Sequence, residues 1–570
     1  MTASPDGATI SAHQITAQAS SSGTVLSAPA GITDGGGTVW NLAASSHNGL
    51  QVVRNGVVDS RTSNVTLLLY YQGKIYQRNN QNGWWYWDQS QGYPWVSASG
   101  DPRSSTQPTQ PPTPAPPGPT PAPTPPTGPT QPTQPPTPTG PAGTGPQASS
   151  NFLVADFSAP QNYPGGSGQQ IISPRAWGVS TGGAGDGGFQ AFTNSTFRNT
   201  AAKINPGLWR FNGNLPQRGD TPYFNGDGSV NTGLWNNLIG NFADVDPLGV
   251  SSVIVGVNIS GVQGFSDANS YGKAMGNLAR FLNSATMSNG KKFPILGFES
   301  DNEPSSNNPL TSYFNAMASA VKAVSGSLLC CGPTTAWFGN LMPQFQQQTQ
   351  HMDVADFHSY LGGYSGSSGP GQSAYQQNKG TKDIGGCNLA GLPRAIFAGE
   401  YNIDWNCACP EQQNYIGAIY SAVYIIELMN GSPAELWSAI WDGRADGTCG
   451  VIDADNSTIY PAGYWLGQAV RTLSGPRFQV TTNPVGLLTL AVSSGSGHAA
   501  MAIVNYGQGN QNSKQVAFSR WPVNSSGNAA GNMWQLSQSR PSGFAGSTQF
   551  SGGVSSPMNF PDPSVTVVWV

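Results

Sequence analysis

A chain of 570 residues carrying a net charge of −4, with only 9% of residues charged, exceeds one compact domain and offers no basic stripe for nucleic acid. No apolar run approaches the ~20 residues that a membrane-spanning helix needs. Its 73 glycines, low charge and many small polar and aromatic residues suit an exported protein that handles neutral polymers.

Residues 1–34 are rich in Ser, Ala and Thr, lack periodicity and read as an N-terminal tail. Met1 to Gly37 show no charged segment followed by an apolar core, so export would use a signal already removed or another route. The expected location is extracellular, at the cell surface or in the periplasm. From 35 to 103 the pattern changes to short β-prone runs: Val39-Trp-Asn-Leu, Gln51-Val-Val-Arg, Val65 to Tyr71, Lys74-Ile-Tyr-Gln and Trp84 to Trp87. Asn55-Gly56 and Asn82-Gly83 mark tight hairpin turns between them. This predicts a small all-β module. Alternation along the last run puts Trp84 and Tyr86 on one face and Trp85 and Trp87 on the other. One face would build the core, and the other could stack on sugar rings.

Residues 104–150 form a linker. Pro108 to Pro146 holds 18 prolines in 39 residues, a density that sets a semi-rigid polyproline II spacer of roughly 120 Å at ~3.1 Å per residue. Such a spacer suits a front module that holds a polymer while the rear one works along it, and it would equally serve as a passive tether.

Between 151 and 474, buried strand-like runs alternate with helical stretches. The strand candidates are Trp177-Gly-Val-Ser, Gly207 to Phe211, Ser252 to Asn258, Phe293 to Glu303, Leu328 to Pro333, Val354 to Tyr360, Ala395 to Glu400 and Leu436 to Trp441. Tyr271 to Asn283, Leu310 to Val324 and Asn414 to Met429 have helical periodicity. Eight strands with helices between them predict an α/β fold, a (β/α)8 TIM barrel. A doubly wound sheet would carry a Gly-rich dinucleotide turn after its first strand, and none stands in that context. Residues 475–570 are β again and predict a C-terminal β-sandwich, to which Asn151 to Phe157 adds a strand.

Six cysteines (330, 331, 387, 407, 409 and 449) all fall in the barrel. An even count in an exported chain favours disulfides, with 15 possible connectivities. The Cys-Cys and Cys-x-Cys spacings do not match the usual zinc-ligand spacing.

The chemistry concentrates at two strand ends. Phe293 to Pro304 is an apolar run ending in Asn302-Glu303-Pro304, and Pro304 cannot extend a buried strand, so the strand is expected to stop near Glu303. Arg394 to Asn402 is a second apolar run, ending in Glu400. Two carboxylates on the ends of buried strands are what glycosidic cleavage needs. Glu299 and Asp301 lie near the first of them, and alternation would put Asp301 on the face of Glu303. Asp453 and Asp455 read as a polar turn in preference to a calcium loop.

Asn302-Glu303-Pro304 at a fourth strand end and Glu400 at a seventh resemble the retaining (β/α)8 glycoside hydrolases of clan A. The chain is most similar there to glycoside hydrolase family 39, the β-xylosidase and α-L-iduronidase family. Gly332 to Trp337, Asp356-Phe-His-Ser-Tyr360, Gly450 to Asp455 and Tyr460 to Tyr464 add to the likeness, which covers roughly residues 151–570. The resemblance implies Glu303 as acid/base and Glu400 as nucleophile. It implies that Asn302 bonds the sugar 2-hydroxyl, with Arg210 beside Glu400. His358 and Tyr360 alternate to the pocket face, and Trp441, with Trp437 as its competitor, would floor the sugar ring. No metal or organic cofactor is required. The substrate would be a β-linked polysaccharide or oligosaccharide. The alternatives are a clan A endo-glucanase or glucuronidase specificity, or a non-catalytic carbohydrate-binding or adhesive surface protein.

Overall fold

The computed structural model describes residues 24–26, 32–34, 38–45, 49–54, 57–59, 62, 64–71, 74–80, 83–88, 95–98, 101–103, 151–164, 168–182, 188–212, 222–259, 265, 267–303, 311–335, 345, 348–360, 395–404, 410–443, 450–483, 485–493, 498–520 and 529–570. They form two compact units, within 1–140 and 141–570. The expected linker, Pro304, Trp337 and four of the cysteines lie outside the described residues.

The first unit is all-β. One sheet orders Thr24–Leu26, Val65–Tyr71, Lys74–Asn79, Trp84–Trp87 and Trp95–Ala98, and a second orders Ile32–Thr33, Val39–Ser45, Gly49–Arg54 and Val57–Val58. Two of these strands sit inside the stretch expected to be a tail. Neither has a strand-like run of its own; each is a short edge on a ladder supplied by a longer neighbour. Trp40, Val52, Leu68, Ile75 and Trp95 form the core, with Trp85 and Trp87 packed on it. The buried indoles keep partners: Trp95 Nε1 donates to Asp59 (3.0 Å) and Trp40 Nε1 to Asp34 (2.8 Å). On the opposite face, Tyr76 and Tyr86 lie 6.0 Å apart and the Lys74 ammonium sits 4.4 Å from the Tyr86 ring.

In the second unit eight parallel strands close a barrel: β1 Gly178–Thr181, β2 Leu208–Phe211, β3 Ser252–Val257, β4 Ile295–Ser300, β5 Leu329–Thr335, β6 Val354–Tyr360, β7 Ala395–Asn402 and β8 Glu435–Trp441. The helices that cover them include α1 Ser195–Ile204, α2 Thr232–Val245, α3 Ala268–Ser284, α4 Thr311–Val324, α5 Tyr415–Gly431 and α6 Pro461–Thr472. Asn194, Asp267 and Asn414 cap α1, α3 and α5 by accepting first-turn N–H groups. Helix α5 is apolar on nearly every side because it contacts both barrel strands and the C-terminal β region.

Alternation sorts the barrel strands into two populations. Trp209, Phe211, Phe298, Ala355 and Phe357 face the helices. Leu208, Ile254, Leu329, Cys331, Val354, Phe397 and Trp437 fill the interior. Arg210, Glu299 and Asp356 continue the inward series, fully buried, towards the C-terminal strand ends. The interior is therefore apolar at one end and ionic at the other, which assigns the chemistry to the C-terminal mouth.

Two expectations need correction. Strand β4 ends at Ser300, not near Glu303: Asp301 (φ 76°) and Glu303 (φ 52°) are both left-handed, a conformation no strand continues through. Cys330 and Cys331 form no disulfide; both thiols are free and buried, Cys330 against the helices and Cys331 in the barrel interior, so the pairing of all six does not hold. The strand expected from Asn151 to Phe157 does join the C-terminal β region, over residues 152–160. Phe152–Pro160 pairs with Gly475–Thr482 on one side and Gln511–Ser519 on the other, closing the C-terminal ladder. Arg477 ties this region to the barrel, donating to Gln170 (2.7 Å) and to Asn430 at the end of α5 (2.5 Å). Among the described residues no helix is long and apolar enough to cross a membrane.

Candidate active site

The mouth is built from the ends of seven strands. On β2, Arg210 points inward and Asn212 follows two residues later. The guanidinium divides its N–H groups among four partners: Nε donates to both oxygens of Glu299 (2.9 Å each), Nη1 to Ser180 (3.1 Å) and Glu400 (2.6 Å), and Nη2 to Asn302 (2.9 Å). A planar fork with five donors is the side chain able to hold groups from β1, β4 and β7 in one plane. Burial opposes its charge, but Glu299 and then Glu400 more than offset this and hold Arg210 above its ordinary range.

Glu400 reaches the pocket through a β-bulge. Strict alternation from Phe397, which faces inward, would turn Glu400 outward towards the helices. Instead Phe357 pairs with Ala398 and His358 pairs with Glu400, so Gly399 is an extra residue that re-aims the side chain. A Cβ at Gly399 would lie 2.3 Å from Asp356 Oδ1, so only glycine fits there. Once aimed inward, Glu400 is held at both oxygens. Oε1 accepts from Arg210 and Asn212 (3.1 Å), and Oε2 accepts from Tyr360 (2.6 Å). Burial pushes this carboxyl up, yet His358, Arg210 and the Tyr360 and Arg210 hydrogen bonds outweigh it and keep Glu400 below the ordinary carboxylate range.

Glu303 stands three residues beyond β4. Its N–H donates to Thr334 O (3.0 Å), and Thr334 Oγ1 donates to Asp301 O (3.0 Å), so the turn after β4 is pinned to the end of β5. Asp301, Glu303 and Thr334 all have positive φ, and that strain is concentrated at the mouth. The Glu303 side chain is 41% exposed and faces the opening of the mouth. Asp301 does not share its face. Its Oδ1 accepts from Ile259 N (3.3 Å), turned towards β3.

His358, fully buried, joins the two glutamates: Nδ1 lies 2.9 Å from Glu303 Oε1 and 3.5 Å from Glu400 Oε2. These three side chains bring oxygen and nitrogen atoms within 4.8 Å of one another. The set would also suit a divalent ion, but Glu400 already accepts from three donors, leaving it little capacity for one. Trp441 and Tyr360 pack together as the apolar wall, and Asn402 fixes the Trp441 backbone by donating to its carbonyl (3.0 Å). Trp437 lies deeper, in the barrel interior. The structure thus brings Glu303, Glu400, Asn302, Arg210, His358, Tyr360 and Trp441 to one mouth. Sequence reasoning passed over Asn212 and gave Asp356 no role. The signal for Asn212 was its place two residues after Arg210, on the same face.

This scaffold, a parallel eight-stranded barrel with an appended β-sandwich, is the fold of the clan A glycoside hydrolases that the motifs resemble. It is similar to a monomeric β-xylosidase from Caulobacter crescentus CB15, with a TM-score of 0.51 and 12% identity over 74% of this chain and 99% of that one. A glucosidase from Croceicoccus marinus gives a TM-score of 0.53 and 14% identity over 73% and 98%. A GH39 enzyme from Xanthomonas axonopodis pv. citri gives 0.50 and 13% over 75% and 99%. No protein-family model matches the sequence, and no curated protein does.

Proposed function

We propose that the protein is a retaining O-glycosidase acting on a β-linked oligosaccharide or polysaccharide, with Glu400 as nucleophile and Glu303 as acid/base. The observation that carries this reading is the approach of the two carboxylates to within 4.8 Å. Retaining sites keep their carboxyl groups about 5–5.5 Å apart, whereas inverting sites leave about 6.5–9.5 Å for a water. In the first step Glu400 attacks the anomeric carbon, the exocyclic C–O bond breaks, and the leaving oxygen takes a proton from Glu303. In the second, water gives its proton to Glu303 and attacks the same carbon, releasing Glu400. Asn302, held by Arg210, is placed to bond the 2-hydroxyl. Tyr360 and Trp441 offer an apolar face to the ring.

Two inversions leave the configuration unchanged. The first sugar released from a β-glycoside should therefore carry the β configuration, read by NMR before mutarotation. An α product would overturn the double displacement.

Glu400 must be ionised to attack, so activity should fall as pH drops through its pKa. Tyr360→Phe removes one donor from Oε2 and so raises that pKa. The acid limb of kcat/KM on an aryl β-glycoside should move to higher pH, and kcat should fall on the order of tenfold to a hundredfold, the size of one hydrogen bond to a charged group. An unmoved limb would show that Tyr360 does not set the charge of Glu400.

A further inference from the structure

Below the mouth, Arg210 from β2, Glu299 from β4 and Asp356 from β6 share the barrel interior with no exposure at all. Glu299 takes the Nε arm of Arg210 with both oxygens. Asp356 is the odd member: neither of its carboxylate oxygens meets a hydrogen-bond donor. The arms of Arg210 go to Glu299, Ser180, Glu400 and Asn302. If every carboxyl here were ionised, one guanidinium would face three negative charges in an interior shielded from solvent. Adjacent buried carboxyls relieve that repulsion by sharing a proton.

We propose that the Asp356 carboxyl carries a proton and donates it to Glu299, so that an acid–carboxylate pair presents Arg210 with one negative charge from below. Arg210 then keeps its remaining arms for Glu400 and Asn302. Asp356 and Glu299 are thus positioning residues, acting through Arg210 without touching substrate. The effect on turnover rests on the retaining-glycosidase reading; the proton itself does not.

The surroundings agree with a neutral Asp356. Burial, first, and the charge of Glu299 push this carboxyl well above its ordinary range, with Arg210 opposing and Glu400 adding to the push. Cys331, facing from β5, is itself driven up by burial and stays a neutral thiol. His358, next inward on β6, turns its Nδ1 to the two mouth glutamates. Gly399 completes the cradle: a Cβ there would meet both Asp356 Oδ1 and Arg210 Nε, at 2.3 and 3.3 Å. The glycine that re-aims Glu400 is therefore the one that makes room for the acid.

The test is thermal unfolding of the full chain and of Asp356→Asn across pH. A carboxyl whose folded pKa exceeds its unfolded value stabilises fully below the unfolded pKa, about 4. That contribution is lost as pH rises towards the folded pKa. The Asp356→Asn substitution keeps a donor for Glu299 but leaves no proton to lose. The variant should have a higher Tm than the native chain at neutral pH, with the gap closing towards about pH 4. A lower Tm at neutral pH would mean that Asp356 is ionised and paired, and would overturn the proposal. The infrared difference spectrum between the two proteins at neutral pH should contain a neutral carboxylic acid C=O stretch that shifts in D2O; its absence would also overturn it. In turnover, Asp356→Leu should lose at least tenfold in kcat, as loss of a supporting hydrogen bond does at other sites, and Asp356→Asn should recover most of that. Equal losses in the two variants would count against a donor to Glu299. The unfolding and infrared arms need no substrate, so they decide the shared proton even if the chain proves not to cleave glycosides.

Discussion

Glu400→Ala should lower turnover of an aryl β-glycoside by on the order of 10⁴-fold or more, the scale on which removing a nucleophile or its partner acts in other covalent mechanisms. The expectation comes from how completely this one carboxylate is provided for. Arg210 and Asn212 fix Oε1, and Tyr360 fixes Oε2. In Glu400→Ala those donors remain, now lining a small cavity with a net positive edge. A small anion such as azide fits both the space and the charge. It should attack the anomeric carbon from the nucleophile's side, forming a C–N bond as the C–O bond to the aryl group breaks and the phenolate leaves with the electron pair. One inversion replaces two, so a β-glycoside should yield the α-glycosyl azide, identified by NMR. Activity within tenfold of the native chain, or a β-azide, would remove Glu400 from the role. Folding is a weaker concern here, because Arg210 keeps Glu299 as its charged partner.

How these donors converge on Glu400 explains which parts of the site could be read from sequence. The eight barrel strands were legible because each carries an apolar inward–outward alternation bounded by turns, and such runs identify buried strands wherever they pair. His358 and Tyr360 followed from the same rule, since β6 is regular from Val354 to Tyr360. The rule fails on β7. Alternation alone sends Glu400 outward, and only the pairing of β6 with β7 reveals that Gly399 is surplus. A bulge is a property of two strands in register, so a single segment gives no sign of it. The end of β4 failed for a related reason. Pro304 suggested a stop near Glu303, but the strand had already ended at Ser300, where the turn is pinned to Thr334 on the next strand. Thr24–Leu26 and Ile32–Thr33 were missed because their order comes from partners elsewhere in the chain.

The same logic governs the ionic layer. Glu299 and Asp356 each read as ordinary inward positions on a strand, and nothing local shows that β4 and β6 aim them at the same guanidinium. Cysteine counting went astray for Cys330 and Cys331 because an even number is evidence about redox compartment, not geometry. Cys330 and Cys331 are consecutive on β5, so they point to opposite faces of the barrel wall, one towards the helices and one into the interior.

Glu303→Ala should behave in a manner that no structural carboxylate can imitate, because its penalty depends on what is leaving. A disaccharide or alkyl glycoside departs as a poor leaving group and needs the proton; its turnover should fall about 10²–10⁴-fold, the usual contribution of general acid catalysis. A dinitrophenyl glycoside departs as a stable phenolate and needs none, so its first step should survive. The second step still lacks its base, because Glu303 must take the proton from the attacking water. The glycosyl–Glu400 ester should therefore accumulate, seen as a burst of phenolate followed by a slow steady state, with KM falling as the intermediate builds up. Azide needs no base and should speed that second step. Here it attacks the anomeric carbon of that ester, and the C–O bond to Glu400 breaks with the carboxylate leaving; after one earlier inversion the product should be the β-glycosyl azide, opposite in configuration to that from Glu400→Ala. The geometry would leave Glu303 free for both proposed tasks: His358 Nδ1 lies 2.9 Å from one oxygen while the side chain stays 41% exposed at the mouth. A loss of equal size for every leaving group, with no burst, would mean that Glu303 only shapes the turn after β4, and the proton would have to come from elsewhere.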